Sequence, residues 1–229
     1  MTGAETGDRG AFLATARRRL AGGVVPNPVH PPPPPLDPGA ATPRPRYRNL
    51  DPDDLAGTFA AAVTEAGGTC HIVAGRVPDD LLDRVVAELG GRPAVTSAEP
   101  EARDVGARLA ARGAVVEAPS VEAAARAGLG VTGAVAAVAA TGSVVLDSRA
   151  AGGRAVSLLP PVHVCVTSVN TLFPTPAEVL RGLGSDVDAL PPSMVLVTGP
   201  SRTGDIEQLL TLGAHGPTAL HVVLVTDGP

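Results

Sequence analysis

Hydrophobic and polar residues follow one another in short blocks that predict helices and strands in turn. The pair Asp51-Pro52 predicts the start of a helix that runs to about Ala66 and ends at Gly67-Gly68. The next blocks predict strands over 70–74, 93–96 and 114–116, and helices over 78–89, 100–111 and 120–127. This alternation favours a parallel sheet with helices on both faces and right-handed crossovers.

The second half of the chain adds a hairpin to this order. Two strand-like runs, 134–139 and 143–147, are separated only by the turn Ala140-Thr141-Gly142, which predicts an inserted β-hairpin. Strands are then predicted over 162–167, 194–198 and 220–225, and helices over 175–183 and 203–212. Thr175-Pro176-Ala177-Glu178 is typical of a helix start with a capping box. The predicted fold class is therefore α/β, with a mainly parallel central sheet flanked by helices.

The N-terminal segment differs from the rest of the chain. A short basic helix is predicted over 11–21, and 10 of the 20 residues in 26–45 are proline, which predicts an extended arm. We divide the chain into this arm, 1–48, and a single α/β domain, 49–229. The arm is interpreted as a spacer, with a strap over another subunit or a ligand for a proline-binding domain as the alternatives.

Composition excludes several classes of function. All basic residues are arginine, so Schiff-base chemistry and a phosphate-binding loop lysine are excluded. The net charge of -5 argues against general nucleic-acid binding. With Cys70 and Cys165 as its two cysteines, the chain cannot hold a four-cysteine iron–sulfur cluster, and no cofactor is predicted. His163 and Cys165, two apart on one strand face, are interpreted as a packed core pair rather than a metal site.

The start of the chain and two uncharged stretches bear on localisation. The polar residues 1–10 lack the pattern of a secretory signal peptide, so the cytoplasm is the expected compartment. The stretches 127–146 and 155–177 carry no charge, but their glycines and prolines favour buried strands and turns over membrane spans.

Several glycine- and hydroxyl-rich loops are candidates for chemistry. The stretch 198–207 follows an apolar strand and opens a predicted helix, a geometry that suits a carboxylate or phosphate. Its candidate residues are Gly199, Ser201, Arg202, Thr203, Asp205 and Glu207. The alternative is that Thr203 caps the helix while Asp205 and Glu207 complement its dipole.

A second loop and two turns could add to the same pocket. Arg154 could hold an anion, with Ser157 nearby, and His163 could act as an acid or base. His215 is predicted to lie at a helix C-terminus, where it caps the helix or takes part in catalysis. Thr141, Gly142 and Ser143 at the hairpin tip could supply donors, although a turn alone explains their composition.

One glycine pattern matches a known motif but lacks the structural context that the motif requires. Gly128-Leu-Gly130-Val-Thr-Gly133 matches a dinucleotide-binding fingerprint, but it follows a helix-like alanine-rich run and precedes a hairpin. A nicotinamide site requires a strand before the glycines and a helix after them, so the pattern does not favour one.

The order of these motifs resembles the lactate-utilisation protein C family, also called the LUD-domain family. The resemblance rests on Gly130-Val-Thr-Gly133, Ala140-Thr-Gly-Ser143, Gly153-Arg154 to His163, TGPSRTGDIE at 198–207 and His215-Gly-Pro217. It adds Thr132 and Gly133 to the candidate anion-binding residues. The family commonly has glutamate where this chain has Ala140, so a carboxylate acting there in relatives would be lost or replaced, for example by Glu207.

The resemblance also implies a fold and a function. The fold would be similar to sugar-phosphate isomerases, CoA-transferases and formyltetrahydrofolate cyclo-ligases. The chain would be a cluster-free accessory or substrate-handling subunit that works beside iron–sulfur partner proteins in the oxidation of L-lactate to pyruvate. His163, His215 and Glu207 would be its catalytic candidates. The alternatives are a free-standing enzyme on a phosphorylated, CoA or folate-type substrate, and a scaffold without catalysis; a homo-oligomer is compatible with each.

Overall fold

The computed structural model describes residues 47, 50–149, 154–183, 191–203, 211–212 and 215–227. The chain from Tyr47 onwards forms one compact unit. Apart from Tyr47, the predicted arm 1–48 lies outside the described residues, so the division at residue 48 stays a prediction. The α-helices are α1 (Leu55–Glu65), α2 (Asp79–Leu89), α3 (Pro100–Ala110), α4 (Val121–Arg126), α5 (Ala155–Leu158) and α6 (Pro176–Leu183).

The strands divide between a central sheet and two smaller ones. The first six strands are β1 (Thr69–Ala74), β2 (Ala94–Thr96), β3 (Val116–Glu117), β4 (Leu129–Gly133), β5 (Ala136–Val138) and β6 (Ser143–Asp147). The others are β7 (Val162–Ser168), β8 (Leu172–Phe173), β9 (Met194–Thr198), β10 (Arg202–Thr203), β11 (Thr211–Leu212) and β12 (Ala219–Thr226). Single 3-10 turns occupy Ala139–Thr141 and Val169–Thr171.

The central sheet has six strands in the order β1-β12-β7-β4-β2-β3, and every neighbouring pair is parallel. Parallel neighbours need long crossovers, which the intervening helices and loops supply. This sheet confirms the predicted α/β class. In its centre, Gly130 of β4 lies opposite His163 of β7, and Thr132 lies opposite Cys165.

The predicted hairpin forms, but it belongs to a second sheet. Strands β5 and β6 are antiparallel, and β8 and β9 add to their outer edges in the order β8-β5-β6-β9. The strand predicted over 194–198 has the predicted bounds and pairs with β6 rather than entering the central sheet. An apolar run that ends in a turn does not reveal which sheet it joins.

The core lies on both faces of the central sheet. Helices α2 and α3 cover one face, which we call face A, where Leu81, Leu109, Val131 and Val164 pack together. Helix α1 and the second sheet cover the opposite face, face B, with Phe59, Leu146, Cys165 and Leu224 in contact. Because successive side chains of a strand point to opposite faces, the odd and even residues of β4 and β7 serve different cores.

The structure differs from the sequence predictions at three places. Helix α1 begins after Asp54, whose Oδ1 accepts from the backbone of Gly57 at 2.8 Å. Asp51, the predicted cap, instead accepts from the backbone of Asp53 at 2.9 Å in a preceding turn. The stretch 129–133, which lies in the uncharged segment 127–146 and was given no strand bounds of its own, is β4 in the middle of the sheet.

The third difference concerns the helix predicted over 203–212. Its two ends are the short strands β10 and β11, which pair antiparallel, with Thr203 opposite Thr211. Residues 204–210 lie outside the described residues. Within the described part of the polar stretch, Arg202–Thr203 form a strand, so the expected helix N-terminus above the sheet is not present at Thr203.

No helix in the described part of the chain is long and apolar enough to cross a membrane.

Candidate functional site

A buried polar cluster lies on face B, in the middle of the central sheet. Thr132 and His163 have no exposed surface, and the Thr132 hydroxyl is 2.8 Å from His163 Nε2. Cys165, opposite Thr132 and equally buried, shares this face. The sequence interpretation of His163 and Cys165 as a packed pair on one face agrees with their positions.

Burial sets the ionisation of this cluster. It lowers the pKa of His163 to about 4, so the imidazole is neutral at pH 7. It raises the pKa of the Cys165 thiol to about 12, against a weaker opposing effect of the Thr132 hydrogen bond. His163 Nδ1 has no hydrogen-bond partner among the described residues. The cluster therefore offers neutral hydrogen-bonding groups, and neither a cation nor a thiolate.

Sequence reasoning missed the one carboxylate beside this cluster. Glu99 is 8% exposed, just before α3, and one of its oxygens accepts a hydrogen bond from the Ser97 hydroxyl. Its Oε1 is buried without a partner among the described residues. The negative charge of Glu99 contributes, after burial, to the raised pKa of Cys165. The sequence contains a signal for this carboxylate. The carboxyl end of a parallel strand is joined to a helix by Ser97-Ala-Glu99-Pro100, and such loops are a common place for functional groups.

Gly133 explains how Glu99 comes so close to the sheet. A methyl group on Gly133 would lie 2.7 Å from Glu99 Cβ. The glycine therefore provides the space that the glutamate occupies, and Glu99 lies where an anion-binding role was expected of Thr132 and Gly133.

A second group lies at the hairpin tip. The hydroxyl of Ser143 is 2.7 Å from that of Thr141 and 2.5 Å from that of Thr198 on the neighbouring strand. Gly142, with φ of +62°, brings this turn against α1, where a methyl group would lie 2.4 Å from the backbone nitrogen of Val63. The three hydroxyls thus satisfy one another beside the helix.

The loop after Thr198 contacts the C-terminal end of the same helix. Gly199 has φ of +72°, and a methyl group there would lie 2.3 Å from the carbonyl oxygen of Ala66. The Arg202 guanidinium lies directly over Gly67, where a methyl group would come within 1.7 Å of one of its nitrogens. A cation near the C-terminal carbonyls of a helix is stabilising, so a structural role explains Arg202.

A third group forms an exposed surface around α5. Arg154 is exposed at the start of this helix, and its carbonyl accepts from the Ser157 hydroxyl at 3.2 Å. Ser201 Oγ accepts from the backbone of His215, which is exposed, at 3.4 Å. Gly216 lies between the two segments, since a methyl group there would be 3.2 Å from Ser201 Cβ and 3.8 Å from a methyl of Leu158.

The described candidate residues thus lie in three separate places: the buried cluster on face B, the hairpin tip with the loop after Thr198, and the surface around α5. Helix α5 covers the sheet at Gly130, where a methyl group would lie 2.0 Å from the carbonyl oxygen of Val156. It follows that α5 covers the part of the sheet next to His163, while Arg154 at its start is exposed.

Several candidate site residues lie partly or wholly outside the part of the chain that the structure describes. Asp205 and Glu207 lie outside the described residues, and only the backbone of Thr203 is described. His215 follows strand β11 and the undescribed residues 213–214, so the described residues show no helix for it to cap. Within the described ranges, no three side chains of histidine, cysteine, aspartate or glutamate are grouped as a metal site.

Comparison with known protein families decides what kind of domain this is. The model of the LUD domain matches residues 86–225, which is more than half of the chain. The chain belongs to the LUD-domain family.

The relatives of this LUD domain agree with that assignment. It is 31% identical over 159 residues to lactate utilization protein C of Halalkalibacterium halodurans, covering 65% of this chain and 69% of that protein. It is 29% identical over 157 residues to the protein of the same name from Macrococcus caseolyticus, covering 65% and 68%. A crystal structure of a DUF162-family protein from Deinococcus radiodurans shares the fold, with a TM-score of 0.56, 23% identity, and coverage of 77% of this chain and 99% of that one.

One departure from the family resemblance has a structural setting in this LUD domain. Ala140, where the resemblance implies a glutamate, lies in the 3-10 turn of the hairpin tip, and its backbone donates to the carbonyl of Pro174 at 3.0 Å. Among the described residues, Glu99 is the buried carboxylate with an unpaired oxygen. It lies in the other polar cluster, so it does not stand where the relatives' carboxylate would be.

Proposed function

We propose that this LUD domain acts in lactate utilization, as an accessory or substrate-handling subunit that binds a small carboxylate such as L-lactate or pyruvate. The observation that carries the proposal is the similarity to proteins named lactate utilization protein C, at 31% identity over about two thirds of both chains. The fold and the family are shared along this length, so a related role is the simplest inference.

The proposed carboxylate site is the exposed surface around α5. Arg154 supplies an accessible guanidinium, which binds carboxylates through two parallel hydrogen bonds. Ser201 and His215, which are hydrogen bonded to each other, would add polar groups and, from His215, a proton donor or acceptor. Ser157 and the undescribed residues Asp205 and Glu207 flank this surface in sequence.

The buried cluster is given a different part in the proposal. Thr132, Gly133 and His163 are buried; Gly133 lies against Glu99, and the negative charge of Glu99 acts on neighbouring Cys165 and would disfavour an anion there. We therefore assign His163 a neutral hydrogen-bonding role and place anion binding at Arg154. The hairpin-tip hydroxyls Thr141 and Ser143 and the loop residues Gly199 and Arg202 are proposed to position the site rather than contact the ligand.

Oxidation of lactate to pyruvate releases two electrons, which must pass to an acceptor. The chain has two cysteines, too few for a four-cysteine iron–sulfur cluster. The proposal therefore includes iron–sulfur partner proteins that carry the electrons, with this chain handling the substrate.

Calorimetric titration of L-lactate and pyruvate into the protein, alone and with co-purified partners, tests the binding step. We expect Arg154→Gln to weaken carboxylate binding at least tenfold, and Arg103→Gln, which changes an exposed arginine on α3, to leave it unchanged. Equal binding by the two variants would contradict the assignment of Arg154.

Growth tests the role itself. In a bacterium that lacks lactate utilization protein C and no longer grows on L-lactate, we expect this chain and its Arg103→Gln variant to restore growth, and Arg154→Gln to restore it poorly. Failure of the unaltered chain to bind either acid or to restore growth would reject the proposal. Stabilisation by phosphorylated, CoA or folate compounds in the absence of partners would instead favour a free-standing enzyme.

A further inference from the structure

A cavity of about 230 Å³ lies on face A, between α2 and the central sheet. Its walls are mainly aliphatic and include Leu81 and Val85 of the helix and Val131 and Val164 of the sheet. The cavity is partly open to solvent, and a concave, mainly aliphatic wall with a few polar groups is typical of sites for small molecules. A space of this size exceeds the roughly 150 Å³ that suffices for benzene, so it can hold a small organic molecule.

Two histidines contribute polar atoms to the cavity wall. His71 of β1 and His221 of β12 stack with their ring centroids 5.9 Å apart and their planes 21° from parallel. His71 Nε2 and His221 Nδ1 are buried without hydrogen-bond partners among the described residues. Buried polar atoms are nearly always paired, and an exception is commonly explained by a bound molecule or water.

The charges around the cavity favour an uncharged occupant. Burial lowers the pKa of both histidines, chiefly by desolvation, which keeps the rings neutral near pH 7. Arg84 at the cavity wall is ion-paired with Asp80 at 3.2 Å, and Glu88 carries the opposite charge on the same wall. The wall therefore offers no net positive charge that would select a carboxylate such as lactate.

We infer that this cavity binds a small, uncharged heteroaromatic molecule of one or two rings. Its ring would contact the aliphatic walls, and its nitrogen or N–H group would hydrogen bond to the two imidazoles. The site is separate from the proposed carboxylate surface, because it lies on face A under α2, while α5 packs on Gly130 of face B. Most of α2 and all of β1 also precede the segment that the LUD-domain model matches, so the cavity lies partly outside the family's common region.

Benzimidazole and indole are suitable probes, with benzoate and L-lactate as charged comparators. We expect saturation-transfer NMR and thermal shift to detect both heteroaromatic probes on the full chain near pH 7.5, and benzoate at least tenfold more weakly.

Two variants locate the binding. Val85→Phe places a ring inside the cavity and should abolish probe binding. His221→Phe keeps a ring for stacking but removes its hydrogen bond, and should weaken benzimidazole binding about fivefold to tenfold. Val121→Phe, at a residue that is 61% exposed on α4, is the matched control and should bind as the unaltered protein does.

The results separate this inference from the proposed function. Circular dichroism and a cooperative thermal transition check that each variant is folded. Absence of binding by both heteroaromatic probes at millimolar concentration, or unchanged binding in Val85→Phe and His221→Phe, overturns the inference. The titration of carboxylates into the Arg154 variant tests the proposed function independently of these results, since the two sites share no residue.

Discussion

His163 should make the folded protein lose stability as the pH falls from 7 to 5. The pKa of this buried imidazole is about 4, while an exposed histidine in the unfolded chain titrates near 6.5. Between these values the unfolded state binds a proton that the folded state excludes, so the free energy of unfolding falls with decreasing pH. Proton linkage with these two values gives a loss of about 2 kcal/mol between pH 7 and pH 5. For a unit of this size the loss corresponds to roughly 4–8 °C in melting temperature.

Urea denaturation at pH 7 and pH 5 measures this contribution when the protein is compared with His163→Gln. We expect the variant to be less stable at pH 7 but to lose about 2 kcal/mol less than the unaltered protein on acidification. His71 and His221, whose pKa values are also lowered by burial, act in the same direction in both proteins and cancel in the comparison. Val164→Ala, on the same strand but facing α2 and α3, should lower stability without changing the pH dependence. Equal losses in the unaltered protein and His163→Gln would refute the assignment of a neutral, buried imidazole.

Three further predictions concern the turns and the cysteines. Gly142→Ala should lower the free energy of unfolding by more than about 2 kcal/mol, because it adds a clash with the α1 backbone to an unfavourable φ. Gly90→Ala, which has a similar φ of +58° but lies in open space, should lower it by about 1 kcal/mol. Denaturant titration measures both losses. Arg202→Gln should remove about 0.3–1 kcal/mol by the same method, and this loss should shrink in high salt. At pH 8, Cys165 should react with a disulfide reagent only after unfolding. Cys70 is half-buried, and burial raises its pKa to about 11, so it should react slowly in the native state. Rapid labelling of both cysteines in the native protein would contradict the described burial.

The central sheet was predictable because its strands are short apolar runs bounded by turn residues. Strand β12, for example, extends over Ala219–Thr226, close to the predicted 220–225. Strand β4 was missed because Gly130 and Gly133 weaken a strand signal, and their reason is tertiary: one accommodates α5 and the other Glu99. No local pattern reveals that a distant element will need the space of a missing side chain.

The site was harder to predict than the fold for a related reason. The stretch 198–207 had the composition of an anion-binding loop, but its glycine and arginine contact the end of α1, more than 130 residues earlier in the chain. Ser201, which is partly exposed, instead accepts a hydrogen bond from the backbone of His215. Glu99 escaped notice because a single glutamate before a helix is ordinary in sequence, and only its burial and its unpaired oxygen distinguish it.

The motif residues that identify the family are largely explained by packing. Four glycines of these motifs lie where a methyl group would come within about 3 Å of another element: Gly130, Gly133, Gly142 and Gly199. Loss of Gly130 or Gly133 would disturb the packing against the central sheet, and loss of Gly142 or Gly199 would disturb the packing against α1, whatever the chemistry. Family membership therefore supports the shared fold and a role in lactate utilization, but it does not tell which residues carry out the chemistry. The chemistry must be sought in groups that packing does not require, which are the exposed Arg154 and the unpaired carboxylate oxygen of Glu99.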